Sequence, residues 1–113
     1  MQGEREGKEL RIIAVDFDGT LVKDIFPMIG APIKETVDRI KQEQANGSKI
    51  ILWTCRNGKA LEQAVEFCIE KLDIHFDAIN ENLDEVKVLY GGDTRKVFAT
   101  EYWDDKAVQL GVN

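Results

Sequence analysis

Apolar and polar positions fall into blocks along this chain, and the blocks carry two periods. Residues 11 to 16, RIIAVD, form a continuous apolar run of the kind a parallel strand shows when both faces are buried. KIILWT, residues 49 to 54, is a second such run. FDAI, residues 76 to 79, predicts a short third strand, and VFATEYW, residues 97 to 103, a fourth that ends on Asp104 and Asp105. Between them the period changes. Ile33, Val37, Ile40 and Ala45 mark the buried side of a helix that Pro32 opens and Gly47 stops. Leu61, Ala64, Val65, Cys68, Ile69 and Leu72 make a helical stripe after a turn at Gly58, which predicts core packing and makes Cys68 a small buried hydrophobe. Residues 22 to 32 hold Pro27, Gly30 and Pro32 and predict a loop or small flap. Residues 80 to 96 predict a short helix near 83 to 89 and a loop at Gly91–Gly92.

Strands alternating with helices imply an α/β fold with a mostly parallel sheet and right-handed crossovers. In such sheets ligands sit at the carboxyl ends of the strands. Polar residues follow three of the four strands, as Asp16 and Asp18, Thr54 and Arg56, and Asp104 and Asp105. If the third strand lies beyond the second and the fourth returns beside the first, the two acidic pairs become neighbours.

Composition narrows the setting. A length of 113 residues predicts one domain over 1–113, with a frayed, charged start at 1–9. Apolar residues at 43% and charged residues at 32% fit an ordinary globular chain. The net charge of −6 argues against nonspecific binding to nucleic acid or anionic membranes. It leaves room for a phosphorylated substrate, because a bound cation reverses the local field. Cys55, Cys68 and the lone His75 fit no zinc spacing, so two reduced thiols in a cytoplasmic protein are expected. No apolar stretch resembles a signal peptide or approaches the roughly 20 residues of a membrane span.

Four carboxylates in one crevice repel one another. Two unit charges about 4 Å apart cost about 1 kcal/mol in water and about 4 kcal/mol at an effective dielectric near 20. Such a cluster binds protons or a cation, and hard oxygen ligands favour Mg²⁺. Magnesium beside a nucleophilic carboxylate suits phosphoryl transfer. Here DFDGTL, residues 16 to 21, resembles the first motif of the haloacid dehalogenase-like (HAD) phosphohydrolases, DxDGT followed by an apolar residue. Thr54 closes the second strand as that family's second-motif Ser or Thr does, Lys96 precedes the fourth strand, and Asp104–Asp105 resembles the acidic fourth motif. The resemblance spans about residues 11 to 106 and is nearest to small, capless members.

The resemblance implies a Rossmann-like three-layer core without a large cap, and a Mg²⁺-dependent phosphomonoesterase. By it, Asp16 is the nucleophile, forming an aspartyl-phosphate. Asp18 is general acid and then base, and its backbone carbonyl reaches the metal with Asp16, Asp104 and Asp105. Thr54 and Lys96 hold the transferring phosphoryl group, and Gly19 and Thr20 supply a sharp turn and backbone N–H groups for phosphate oxygens. Lys59 and Lys87 are rivals to Lys96. Arg56 meets the leaving group or phosphate, or is a surface charge. Lys106 stands where many relatives of this type carry Arg. Two other classes compete. A receiver-type signalling domain is disfavoured because its acceptor Asp follows the third strand, which here ends in INEN. A catalytically silent binding module is disfavoured by the retention of both Asp16 and Asp18. The expected substrate is a small phosphorylated molecule, with a phosphorylated nucleic-acid end less favoured. An open crevice also admits a large substrate or a partner subunit as its cover.

Overall fold

The computed structural model describes residues 11–105. The expected frayed start, Lys106 and any terminal helix capped by Asp104–Asp105 lie outside the described residues. Four strands form one parallel sheet: β1 (Ile12–Val15), β4 (Lys49–Leu52), β5 (Ala78–Ile79) and β6 (Glu101–Trp103), in the order β5-β4-β1-β6. The third strand of the sheet therefore lies beyond the second, and the last returns beside the first. β1 is buried along its whole length, which explains why it reads as an unbroken apolar run.

Three layers follow from the alternation of side chains. Ile13, Val15, Ile50 and Leu52 face one way and pack with Val37 and Ile40 of α1 (Lys34–Ala45) and Ala64 of α2 (Gly58–Phe67). Ile12, Ala14 and Ile51 face the other way and pack with Leu83, with Val86 of α3 (Asp84–Tyr90), and with Val97. The chain is an α/β protein of Rossmann-like, three-layer type.

Differences from the expected elements have local causes. Residues 22 to 32 are not a loop. They form an antiparallel hairpin, β2 (Val22–Ile25) and β3 (Met28–Pro32), turned at a cis Phe26–Pro27 peptide. Pro32 thus closes a strand instead of opening α1. Gly30 lets the two strands approach, since a Cβ there would strike the Lys23 carbonyl. The fourth sheet strand is shorter than expected, because residues 97 to 100 run irregularly against buried Asn82 (1% exposed). The Asn82 amide nitrogen donates to Asp93 Oδ1 (2.8 Å) and Thr94 Oγ1 (3.1 Å), and its Oδ1 accepts from the Phe98 N–H (2.7 Å). Past Phe67 the second helix widens into a π-helical stretch, Cys68–Leu72, that ends on left-handed Asp73. Cys68 and Leu72 stay buried there, while Ile69, expected on the same stripe, is exposed. The π stretch breaks the 3.6-residue register that put Ile69 on the buried side.

Candidate active site at the carboxyl end of the sheet

Every strand of the parallel sheet ends at the same place. Asp16 follows β1, Thr54 follows β4, Asn80 follows β5 and Asp104 follows β6. These four residues line one cavity of roughly 550 Å³, at the end of the sheet where α/β folds bind ligands.

In the DFDGT segment the middle residue turns inward. Phe17 is fully buried and meets Phe67 edge-on at 6.5 Å, while Asp16 and Asp18 on either side reach the cavity. Burial of a phenyl side chain contributes on the order of 2–3 kcal/mol, enough to hold two acidic neighbours at the strand end. Asp16 Oδ1 accepts the Phe17 N–H at 2.8 Å. Carboxylate oxygens of Asp16, Asp104 and Asp105 all lie within 4.8 Å of one another. Burial pushes the Asp16 carboxyl up to about 6, and the charges of Asp104, Asp105 and Asp18 push the same way against the Phe17 hydrogen bond.

Gly19 makes this convergence possible. Its φ is +90°, and a Cβ there would occupy the place of the Asp105 carboxylate. Thr20 Oγ1 accepts the Asp105 N–H at 3.1 Å, tying the turn to the segment after β6. The N–H groups of Gly19 and Thr20 donate to the Val22 carbonyl (2.7 Å) and the Phe17 carbonyl (3.2 Å). They build the turn, so the expectation that they face phosphate oxygens does not describe this structure.

Asp18 does not join the acidic cluster through its side chain. Arg56 Nε donates to its Oδ2 at 2.7 Å and Nη2 to its Oδ1 at 2.8 Å, a two-pronged ion pair. The remaining guanidinium hydrogens go to carbonyls of Pro27 (3.2 Å), Ala60 (3.4 Å) and Met28 (3.0 Å). All five donors are in use, the residue is 2% exposed, and its guanidinium lies about 5 Å from the ring centres of Phe17 and Phe26. Of the two expectations for Arg56, the surface charge does not hold, and Arg56 lines the cavity. Its donors go to Asp18, to Ala60 of α2 and to the hairpin.

Thr54 lines the cavity as expected. Its N–H donates to Asn80 Oδ1 at 2.8 Å and its Oγ1 accepts the Arg56 N–H at 3.1 Å, which leaves the hydroxyl proton for an acceptor. Lys96 does not line the cavity; its ammonium lies 5.3 Å from the centre of the Tyr102 ring. Of its rivals, Lys87 pairs with Glu81 at 2.7 Å, and Lys59 is exposed and outside the lining. The loop fastened by Asn82 carries Lys96 away from the strand ends. The cavity also takes in Asp24, Phe26 and Cys55, which sequence reasoning passed over. The signal for the first two was present, as an acidic and an aromatic residue in a flap directly after the acidic motif. Trp53 packs on the core as expected and lines the cavity too. Cys68 is inert by burial, which pushes its thiol up to about 12. His75 is exposed beside Asp73 at 3.5 Å.

A protein of known structure resembles most of this chain. It is described as a conserved protein coded by locus from Bacteroides thetaiotaomicron, is 36% identical, and superposes with a TM-score of 0.78 over 88% of this chain and 79% of its own. The chain belongs to the family of that Bacteroides protein. Neither a family model nor a curated protein matches the chain. Among the described residues, no helix is long and apolar enough to cross a membrane.

Proposed function

We propose that this protein is a Mg²⁺-dependent phosphomonoesterase of the HAD type, with Asp16 as nucleophile. The observation that carries the reading is the meeting of Asp16 with Asp104 and Asp105 at the end of the central strands, within 4.8 Å. Three carboxylates at that spacing are a hard-oxygen set, and burial, with the charges of Asp104, Asp105 and Asp18, already disfavours the ionised state of Asp16 without a cation. The set fits Mg²⁺. Asp16, Asp104 and Asp105 would hold it, and it would offset the charge of the phosphoryl oxygens.

Asp16 then acts through the carboxylate oxygen turned to the cavity. That oxygen forms a bond to phosphorus while the ester oxygen departs, giving an aspartyl-phosphate. The Thr54 hydroxyl donates to a phosphoryl oxygen. Asp18 serves the proton transfers. Water activation needs only a lone pair on Asp18, which it keeps while paired with Arg56. Protonation of the leaving oxygen requires Asp18 to take up a proton from solvent on one oxygen, with the Arg56 bond to that oxygen opened, and to pass that proton to the ester oxygen.

The test is phosphate release from p-nitrophenyl phosphate and a panel of natural monoesters, with Mg²⁺ and with EDTA. Release that needs Mg²⁺ and disappears in Asp16→Asn is expected; release that persists in either condition overturns the mechanism. The closed Asp18–Arg56 pair favours one second reading, a silent module that binds a cation and a phosphate ester without turnover. Tight ester binding with no phosphate release in any arm would select it.

A further inference from the structure

We propose that the cavity is selective for phosphate esters whose leaving group carries a flat ring and no negative charge, with a cationic tail preferred. This rests on the phosphomonoesterase reading and adds to it the class of substrate.

The argument starts from charge. The cavity wall carries Asp16, Asp18, Asp24 and Asp104 against a single cation among the described residues, Arg56. Mg²⁺ on Asp16, Asp104 and Asp105 would serve the phosphoryl end. Nothing similar serves the other end. Arg56 has its five donors on five acceptors and is 2% exposed, so it has none to give a second anion. No described lysine lines the wall. An ester with a second phosphate or a carboxylate would bring its charge to Asp24 with no partner to meet it.

The shape of the remaining wall gives the positive half. Asp24, Phe26, Trp53 and Asn80 line the cavity and take no part in the proposed phosphoryl transfer. Phe26 and Trp53 supply aromatic surface, and Phe26 is held by the Arg56 guanidinium 4.9 Å from its ring centre. Asn80 turns its Oδ1 to the Thr54 N–H, so its amide NH₂ end is the one left for a ligand. Asp24 Oδ1 accepts the Phe26 N–H at 3.2 Å, so its other oxygen is the acceptor for a ligand donor. Two rings, one acidic acceptor and one amide donor suit a planar group that bears hydrogen-bond donors or a cation. Asp24 and Phe26 both sit on the β2–β3 hairpin, so the hairpin supplies this selectivity.

The experiment compares aryl esters of similar phenol acidity that differ in the charge of a short para substituent. Phosphate release is measured with Mg²⁺ for tyramine phosphate, 4-ethylphenyl phosphate and the phosphate of 3-(4-hydroxyphenyl)propionate. Binding of non-hydrolysable counterparts, 4-(aminomethyl)-, 4-methyl- and 4-(carboxymethyl)benzylphosphonate, is measured by calorimetry under the same conditions. Affinity and kcat/KM should fall from the cationic through the neutral to the anionic member, by about tenfold between the ends, which corresponds to about 1.4 kcal/mol. Asp24→Asn should narrow that range, and Phe26→Ala should weaken all three arenes together. A flat or reversed order of phosphonate affinity overturns this proposal, whatever the turnover. An intact order of affinity with no phosphate release supports the pocket and rejects the phosphatase chemistry instead.

Discussion

Arg56 is the residue on which most of the site's polar geometry turns. It neutralises Asp18, satisfies three carbonyls, and links the end of β4 to the hairpin. Removing one partner of a buried ion pair leaves the other desolvated and uncompensated. Arg56→Ala should therefore destabilise the protein by about 3–5 kcal/mol, read from urea unfolding midpoints. Arg56→Lys should recover only part of this, because an ammonium cannot serve five diverging acceptors. The double variant with Asp18→Ala should cost less than the sum of the singles; simple additivity would mean that the pair is not coupled. Asp16 predicts the opposite sign. Its pKa is raised in the folded state, from 3.8 to about 6, so its contribution to stability is complete below the unfolded value and is lost as pH rises through the folded one. At pH 7.5 in EDTA the folded protein carries that ionised group against its environment. Asp16→Asn keeps the acceptor for the Phe17 N–H and removes the charge, so its melting temperature should exceed that of the wild type. The advantage should vanish near pH 4; a variant less stable than wild type at pH 7.5 would contradict the electrostatic account.

At the scale of elements, the turn after β1 and the hairpin that follows it set the geometry. Gly19→Ala places a methyl group against the Asp105 carboxylate at a φ of +90°. The strain should lower stability by more than about 1 kcal/mol. It should also displace Asp105, weakening Mg²⁺ binding measured by titration calorimetry; unchanged Mg²⁺ affinity would remove Asp105 from the binding set. Much of this architecture was legible in the sequence. β1 and β4 are buried on both faces, so their apolar runs declare them, and the polar residues just past them declare the ligand end of the sheet. The hairpin was not legible as strands. It is a separate two-stranded sheet, the outer part of β2 is exposed, and β3 contains a glycine and a proline, so neither strand shows a clean period of two. The Arg56–Asp18 pair was not legible either. Its members stand 38 residues apart on different elements, and no local spacing marks which carboxylate a buried arginine will choose. Lys96 misled for a related reason, since nearness in sequence to β6 says nothing about the side of the sheet on which Asn82 fastens the preceding loop.

The whole molecule concentrates its electrostatic cost at one end. The core layers are apolar, the chain carries a net charge of −6, and three of its carboxylates are gathered where the parallel strands finish. On the proposed reading, such an arrangement trades stability for a cation site. A cation that binds this cluster in the folded state has no equivalent site in the unfolded chain, so binding should appear as stability. At 100 times its dissociation constant a ligand adds about 2.7 kcal/mol. For a domain of this size that amounts to a rise on the order of 10 °C in melting temperature. Thermal unfolding followed by circular dichroism in EDTA and in increasing MgCl₂ measures it, with NaCl at matched ionic strength to remove general screening. The rise should saturate with Mg²⁺, should be absent in Asp16→Asn, and should be reduced in Asp104→Asn and in Asp105→Asn. The variant of these last two with the smaller rise carries the stronger bond to the metal. If NaCl produces the same rise as MgCl₂, the cluster is only a patch of screened charge, and the chemistry assigned to Asp16 loses its support.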